Sequence, residues 1–412
     1  MQPGYFRGWE VVAGCFVMAM ISWGLGFYGT GLYLAYLVDQ RGFPISAVSG
    51  GITAYFWLSA LMIMNCGPLI DRVGPRVSVS IGTVAMVLAV SAIAHVEELW
   101  QFYAALGLMA VCWTTMTSSA INTILAPWFL RKRGMALSLA LTGASFGGIA
   151  VVPLVTASAH AYGHRTGMTV AALGCGALAL LVAWRCFVPD PSRVGQFPDG
   201  DAAPLPRAAA AGSSCPWPLQ RVLRTPAFLS ICISFSIALT VQVGFLTHQI
   251  SMLQPALGAQ RAAWAVGLTT ISAVLGRLVA GALMDYVERR ALSALNFLSQ
   301  VLGLLLLAGA HQSGNAWLTY AACVLCGLSV GNAITFSGLL IQREFPAEQF
   351  NRVNRLSVGI GQICYACGPL LMGFMRELSG GYEKPLYISA AVGTSSAIII
   401  WFGRPHASVV KA

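Results

Sequence analysis

Polar and apolar positions along this chain fall into long blocks. Apolar stretches of about 20 residues, the length a helix needs to cross a hydrocarbon core, are separated by short polar loops rich in Arg, Gly and Pro. Twelve such stretches can be read: 11–37, 47–70, 77–94, 100–126, 135–157, 167–188, 227–249, 262–284, 291–310, 317–341, 356–375 and 386–402. The pattern predicts an all-α integral membrane protein with twelve transmembrane helices in two six-helix bundles. The longest polar interval, 189–226, is rich in Pro, Ala, Gly and Ser, as in PDGDAAPLPRAAAAGSSCPWP. It predicts a flexible linker between an N-terminal half, 1–188, and a C-terminal half, 227–412. A weak internal repeat supports the division. Gly67-Pro-Leu-Ile-Asp71-Arg72 closes the second stretch and Gly281-Ala-Leu-Met-Asp285-Tyr286 closes the eighth. Paired halves of this kind are how many secondary transporters are built. The first stretch is too long for a signal-peptide core and is expected to remain in the mature protein.

Composition reinforces the block pattern. The chain of 412 residues is 57% hydrophobic and 9% charged, against roughly 25% charged in soluble domains. So few charges cannot dress a water-facing surface, and lipid is the expected solvent. The net charge of +10 does not point to nucleic acid, because the bases sit in short loops between apolar runs. Arg7, Arg72, Arg76, Lys132, Arg193, Arg290, Arg343 and Arg404 are among many on one side. Arg41, Arg165, Arg261, Arg376 and Lys384 are those on the other. The positive-inside rule then places both termini in the cytoplasm. Of eleven cysteines, two pairs have metal-like spacing, Cys323 with Cys326 and Cys364 with Cys367. Both pairs fall within apolar runs, where thiols act as small packing groups. No metal or cofactor is expected. Loops lack a nucleophile–base pair, and His95, His160, His164, His311 and His406 lack ligand spacing, so the chain does not read as an enzyme.

Arg277 is the residue that points to a function. It stands alone in the run AAWAVGLTTISAVLGRLVAGALM, with no second charge between Ala262 and Met284. A guanidinium does not shed its proton, and at membrane depth it needs a wet cavity or a negative partner. The run supplies no acid, so the expected partner is an anionic substrate. Softer candidates for the same cavity are polar or aromatic groups inside apolar runs: His248, Tyr28, Asn122, Asn332, Tyr365, Gln242 and Trp113. No carboxylate lies clearly at the centre of a helix, which argues against a proton relay of the usual pump type.

The loop GPLIDRVGPR, with Gly67, Asp71, Arg72, Gly74 and Arg76, resembles the signature of the major facilitator superfamily. Trp128-Phe129-Leu130-Arg131-Lys132-Arg133-Gly134, the opening Arg7-Gly8-Trp9-Glu10, and Pro198-Asp199-Gly200 after the sixth run are similar to segments of the monocarboxylate transporter and oxalate/formate exchanger branch. The resemblance implies alternating access. It makes Asp71, Arg72, Arg76, Asp285 and Arg133 gating residues, and Arg277 the holder of a substrate carboxylate. It also implies proton symport as the default, with carboxylate exchange or facilitated diffusion as the other modes. The expected partners are a small carboxylate, a co-transported proton and the lipid bilayer. The expected state is a monomer in a plasma (inner) membrane. There are departures. Ala273 stands where relatives carry Asp or Asn, the first helix has no lysine around Tyr28–Gly31, and the eleventh has no charge near Gly361 or Gln362. One fixed cation favours monoanions. Drug efflux, the rival within the superfamily, is disfavoured by an arginine-centred cavity and by a fifth helix lacking a Gly-Pro pair.

Overall fold

The computed structural model describes residues 6–63, 66–130, 132–188, 190–201, 222–283 and 286–403. These are helical with short connections, and no strand occurs among them. Twelve helices are long and apolar enough to cross a membrane. They are α1 (Gly8–Arg41), α2 (Ile45–Ile63), α3 (Arg72–Ala94), α4 (Leu99–Leu125), α5 (Gly134–Tyr162) and α6 (His164–Cys186), then α7 (Pro226–Leu257), α8 (Ala259–Ala280), α9 (Arg289–Ser313), α10 (Ala316–Glu344), α11 (Leu356–Ser379) and α12 (Glu383–Phe402). They correspond one for one to the apolar blocks. Several overrun them by a turn, because polar residues continue a helix beyond the hydrocarbon-length core. α1, for instance, reaches Arg41 and stops at Gly42, whose φ of 68° ends it in the left-handed conformation.

The chain separates into two compact units, Met1–Phe43 with Ala54–Arg207, and Pro44–Thr53 with Ala208–Ala412. The first turns of α2 thus group with the second unit. They do so through packing: the Leu370 N–H donates to Thr53 Oγ1 at 3.3 Å, and Gly373 lies against Ser49 and the Ile45 carbonyl. The linker expectation also needs correction. Residues 190–201 are folded rather than free. Asp190 caps a short 3-10 turn by accepting the Ser192 N–H. Asp199 is buried, with a carboxylate that accepts the N–H groups of Leu130 and Lys132 at 3.1 Å each. Its own N–H donates to the Trp128 carbonyl at 2.9 Å. Residues 202–221 lie outside the described residues.

Helices approach one another where side chains are small. In the first unit, a Cβ on Gly147 of α5 would stand 2.6 Å from the Met20 carbonyl of α1. In the second, a Cβ on Gly327 of α10 would stand 2.7 Å from the Ser272 Cβ of α8, and one on Gly303 of α9 would stand 2.9 Å from the Cys326 nitrogen. Such seams let backbones pack without large side chains to fill the gap. Cys326, buried against Gly303, serves that purpose.

Several spans are interrupted. α1 carries a π-helical turn at Gly24–Tyr28 and α5 another at Gly147–Val151. α4 breaks at Thr117, α10 at Gly331–Asn332 and α11 at Cys367. The interrupted pairs α4/α10 and α5/α11 occupy matching places in the two halves. α3 is interrupted near its start at Gly74, with φ 80° and ψ 160°. Only glycine adopts that conformation without strain, and Pro75 then starts the next segment where its missing N–H costs nothing.

Candidate substrate site

Arg277 lies on α8 facing the break in α10. It is half-buried, and its Nε–H donates to the Gly331 carbonyl at 3.1 Å. The approach is close because Gly331 packs on Ala273 and on the Arg277 Cβ; any side chain at 331 would push the helices apart. A buried polar network holds the break itself. Asn332 Nδ2 donates to Asn296 Oδ1 at 3.1 Å and to the Leu328 carbonyl at 2.9 Å. Asn296 Nδ2 donates to Ser329 Oγ at 3.0 Å and to its carbonyl at 3.3 Å. Ser329 Oγ reaches Gln300 Oε1 at 3.4 Å. The remaining Gln300 amide nitrogen is buried without a partner among the described residues. An interrupted helix frees backbone groups that must be met by side chains, and here α8 and α9 supply them.

Of the residues expected from sequence, the structure brings Arg277 and Asn332 to one place. Asn332 stands there as a brace, with its amide nitrogen engaged by two acceptors. Asn296 and Gln300, which sequence reading passed over, share the network. Their signal was available as amides inside the apolar run of α9. His248 belongs to a different cluster of the second unit. It is fully buried, with Nδ1 2.9 Å from the Tyr382 hydroxyl, and Nε2 3.0 Å from the Pro369 carbonyl and 3.1 Å from Ser49 Oγ. Gln242 is buried on α7, and Tyr365 is half-buried on α11 just before its break.

Tyr28 and Asn122 are in the first unit. Tyr28 is buried at the end of the π-turn of α1, and Asn122 is exposed on the short helix after the α4 break. The π-turn is wrapped in aromatic rings. The Tyr33 and Tyr55 hydroxyls donate to the Leu25 and Gly26 carbonyls at 3.0 Å each. Trp113 packs on Trp23 at 5.1 Å and stacks on Phe27 at 6.0 Å between ring centres.

Among the gating candidates, Arg76 donates from Nε to the Phe187 carbonyl at 2.6 Å and lies over the Trp184 ring at 6.0 Å. Arg72 is exposed. Asp285 and the side chains of Asp71 and Arg133 lie outside the described residues. In the second repeat Arg290 stands where Arg76 stands in the first. It is 2% exposed, and its Nε and Nη2 donate to the two Glu344 oxygens at 2.7 Å each. Its Nη1 donates to Ser230 Oγ at 3.1 Å and to the Ile400 carbonyl at 3.0 Å. One guanidinium therefore ties α7, α9, α10 and α12 together. Sequence reading counted Arg290 as a loop base and missed Glu344.

Twelve apolar helices in two units, with a cation set at an interrupted helix, define a membrane transporter. The chain belongs to the Major Facilitator Superfamily, whose family model matches residues 12–366. It is 28% identical to human (Homo sapiens) monocarboxylate transporter 11, covering 97% of this chain and 83% of that protein. To Danio rerio monocarboxylate transporter 10 it is 22% identical, over 87% and 70%. The Saccharomyces cerevisiae riboflavin transporter MCH5 is 28% identical over 38% of this chain, a match that spans only 30% of that protein. Among solved structures, a nucleoside transporter superposes with a TM-score of 0.74 at 12% identity, covering 95% of this chain and 99% of that one. A D-xylose–proton symporter does so at 0.70 and 14%, covering 97% of each. At these identities the structures speak for the fold alone.

Proposed function

We propose that the protein carries small organic anions, monocarboxylates foremost, across a plasma (inner) membrane by alternating access, with both termini cytoplasmic. The observation that carries this reading is Arg277, a permanent cation within an apolar helix, half-buried at the break in α10. Its Nε bond to Gly331 fixes the plane of the guanidinium, and a planar fork is the geometry that grips a carboxylate in two parallel bonds. Binding an anion there offsets the cost of enclosing a guanidinium charge away from water, which couples closure to loading. The loop bases support the orientation. The names of two relatives, both monocarboxylate transporters, support the cargo class. Asp71, Arg72, Arg76, Arg133 and Asp285 then act at the gate.

The test is uptake of labelled monocarboxylates into proteoliposomes, with wild type against Arg277→Ala. Wild type is expected to accumulate or exchange an acid and the variant to lose that activity. Uptake unchanged in Arg277→Ala removes the anchor, and efflux of cationic drugs in place of acids removes the cargo class. An imposed pH gradient that drives uptake identifies proton symport, through His248 or the acid itself. Acceleration by unlabelled acid inside identifies exchange.

A further inference from the structure

His248 of α7 is the centre of a polar cluster distinct from that of Arg277. Its ring is fully buried and bonded to three other elements. Nε2 lies 3.0 Å from the Pro369 carbonyl of α11 and 3.1 Å from Ser49 Oγ near the start of α2. Nδ1 lies 2.9 Å from the hydroxyl of Tyr382, the residue before α12. A carbonyl only accepts, so Nε2 carries the proton and Nδ1 is left to accept the tyrosine O–H. The cluster is therefore satisfied by a neutral imidazole.

The first turns of α2 are fastened to the second unit through this ring and through contacts beside it. The Leu370 N–H donates to Thr53 Oγ1 at 3.3 Å, and the Ser46 N–H donates to Glu377 at 3.3 Å. Gly373, having no Cβ, leaves room for the Ser49 hydroxyl against α11. From Ala54 onward α2 groups with the first unit, so 44–53 are a short strap laid on the second.

The nearest charge has the wrong sign to welcome a second proton. Arg376 of α11 lies over the Tyr382 ring at 5.8 Å, and its Nε is buried without a hydrogen-bond partner among the described residues. Glu377 is exposed and turned to Ser46, and Glu383 of α12 holds Gln312 of α9. Lys384 of α12 and Arg261 at the start of α8 are exposed. α10 brings Cys323, which faces Gln249. Residues 45–53 carry no charge, and neither do the neighbours of His248 within 242–254. Protonating Nδ1 would set a second donor against the tyrosine O–H and bury an unpaired charge beside a guanidinium, a cost relieved by leaving the site.

We propose that the first turns of α2 are a releasable strap, clasped by neutral His248 and opened by acid. An imidazole freed to water titrates near about pH 6.5. The released form takes up a proton that the clasped form excludes. Clasping is thus complete above about pH 6.5 and weakens as pH falls below it. With the orientation proposed above, on which this sentence alone rests, the strap lies on the external side and answers to outside acidity, whether or not a proton travels with the cargo.

The test is amide hydrogen exchange of the purified full chain in detergent, read by mass spectrometry at 44–53 and 368–377 and corrected for the intrinsic effect of pH. In wild type, exchange of both segments should rise about tenfold from pH 7.5 to 5.5 and change little from 7.5 to 8.5. His248→Gln, which can bond both neighbours but takes up no proton, should lose the acid response. Tyr382→Phe, which removes the partner of Nδ1 and keeps the ring, should exchange faster than wild type at neutral pH. The proposal is overturned by wild-type exchange that ignores acid, by a response that survives in His248→Gln, or by Tyr382→Phe exchanging as wild type does at neutral pH. Arg277→Ala should respond as wild type does, and a response lost there also overturns the strap. Exchange thus decides the strap and uptake decides the anion anchor, so the two readings fail separately.

Discussion

Three arginines within helices behave in three ways, and burial with partners decides which. Arg290 is closed on Glu344, Ser230 and the Ile400 carbonyl, so it holds structure. Breaking a buried pair by removing one member costs about 3–5 kcal/mol, whereas replacing both with apolar groups is often neutral. Glu344→Ala is therefore expected to lower the melting temperature sharply in detergent, and the double change Arg290→Met with Glu344→Leu to recover most of the loss. A double variant as unstable as the single one would sink the argument. Arg76 rests on one carbonyl and an aromatic face. Arg277 spends its Nε on Gly331, and its position suits ligand capture. Arg277→Lys keeps the charge without the fork and should raise the KM for a transported acid by about tenfold, leaving the melting temperature of the unliganded protein nearly unchanged. Arg277 was legible because it interrupts an apolar run. The Arg290–Glu344 pair was not, because both residues stand at the ends of runs, where charges are ordinary.

Elements were legible in existence but not in detail. A run of about 20 apolar residues fixes a spanning helix whatever its neighbours, which is why α1 to α12 match the blocks. Breaks are another matter. Gly331–Asn332 and Thr117 carry no proline or charge run to announce them. At the α10 break, Arg277 and Asn296 supply bonds to the Gly331 and Ser329 carbonyls that the interrupted backbone would otherwise lack. In the Gly-rich fifth helix, Gly143 and Gly147 lie on the α1 backbone; its π-turn carries no local signal. The seams make a prediction at this scale. Gly327→Leu would drive a side chain into Thr269 and Ser272 of α8, so α8 must move away from α10. Anion-induced stabilisation should fall with it, while Gly107→Leu, where a Cβ meets nothing within 4 Å, should change neither stability nor binding. Equal effects from both would argue against the seam.

At the level of the whole molecule, the pairing of Gly67–Asp71 with Gly281–Asp285 is a pattern of the sequence. The boundaries between units were less visible. Residues 44–53 group with the second unit through α11 contacts that no local pattern encodes. Residues 190–201 look like linker by composition, yet pack on the first unit. Asp199 holds a φ of 60°, the sole positive value outside glycine among the described residues. That conformation costs energy and here two carboxylate bonds offset it. Asp199→Ala should cost about 1–3 kcal/mol through the abandoned N–H groups of Leu130 and Lys132. Asp199→Asn, which retains one acceptor, should cost less; melting temperatures of the two variants check the order.

Fastening Asp199 to the first unit shortens the tether. Of the stretch that composition marks as connector, residues 190–201 are built into the first unit. Engineers joining or splitting the halves should spare 196–200, since a tag spliced there would undo a lock.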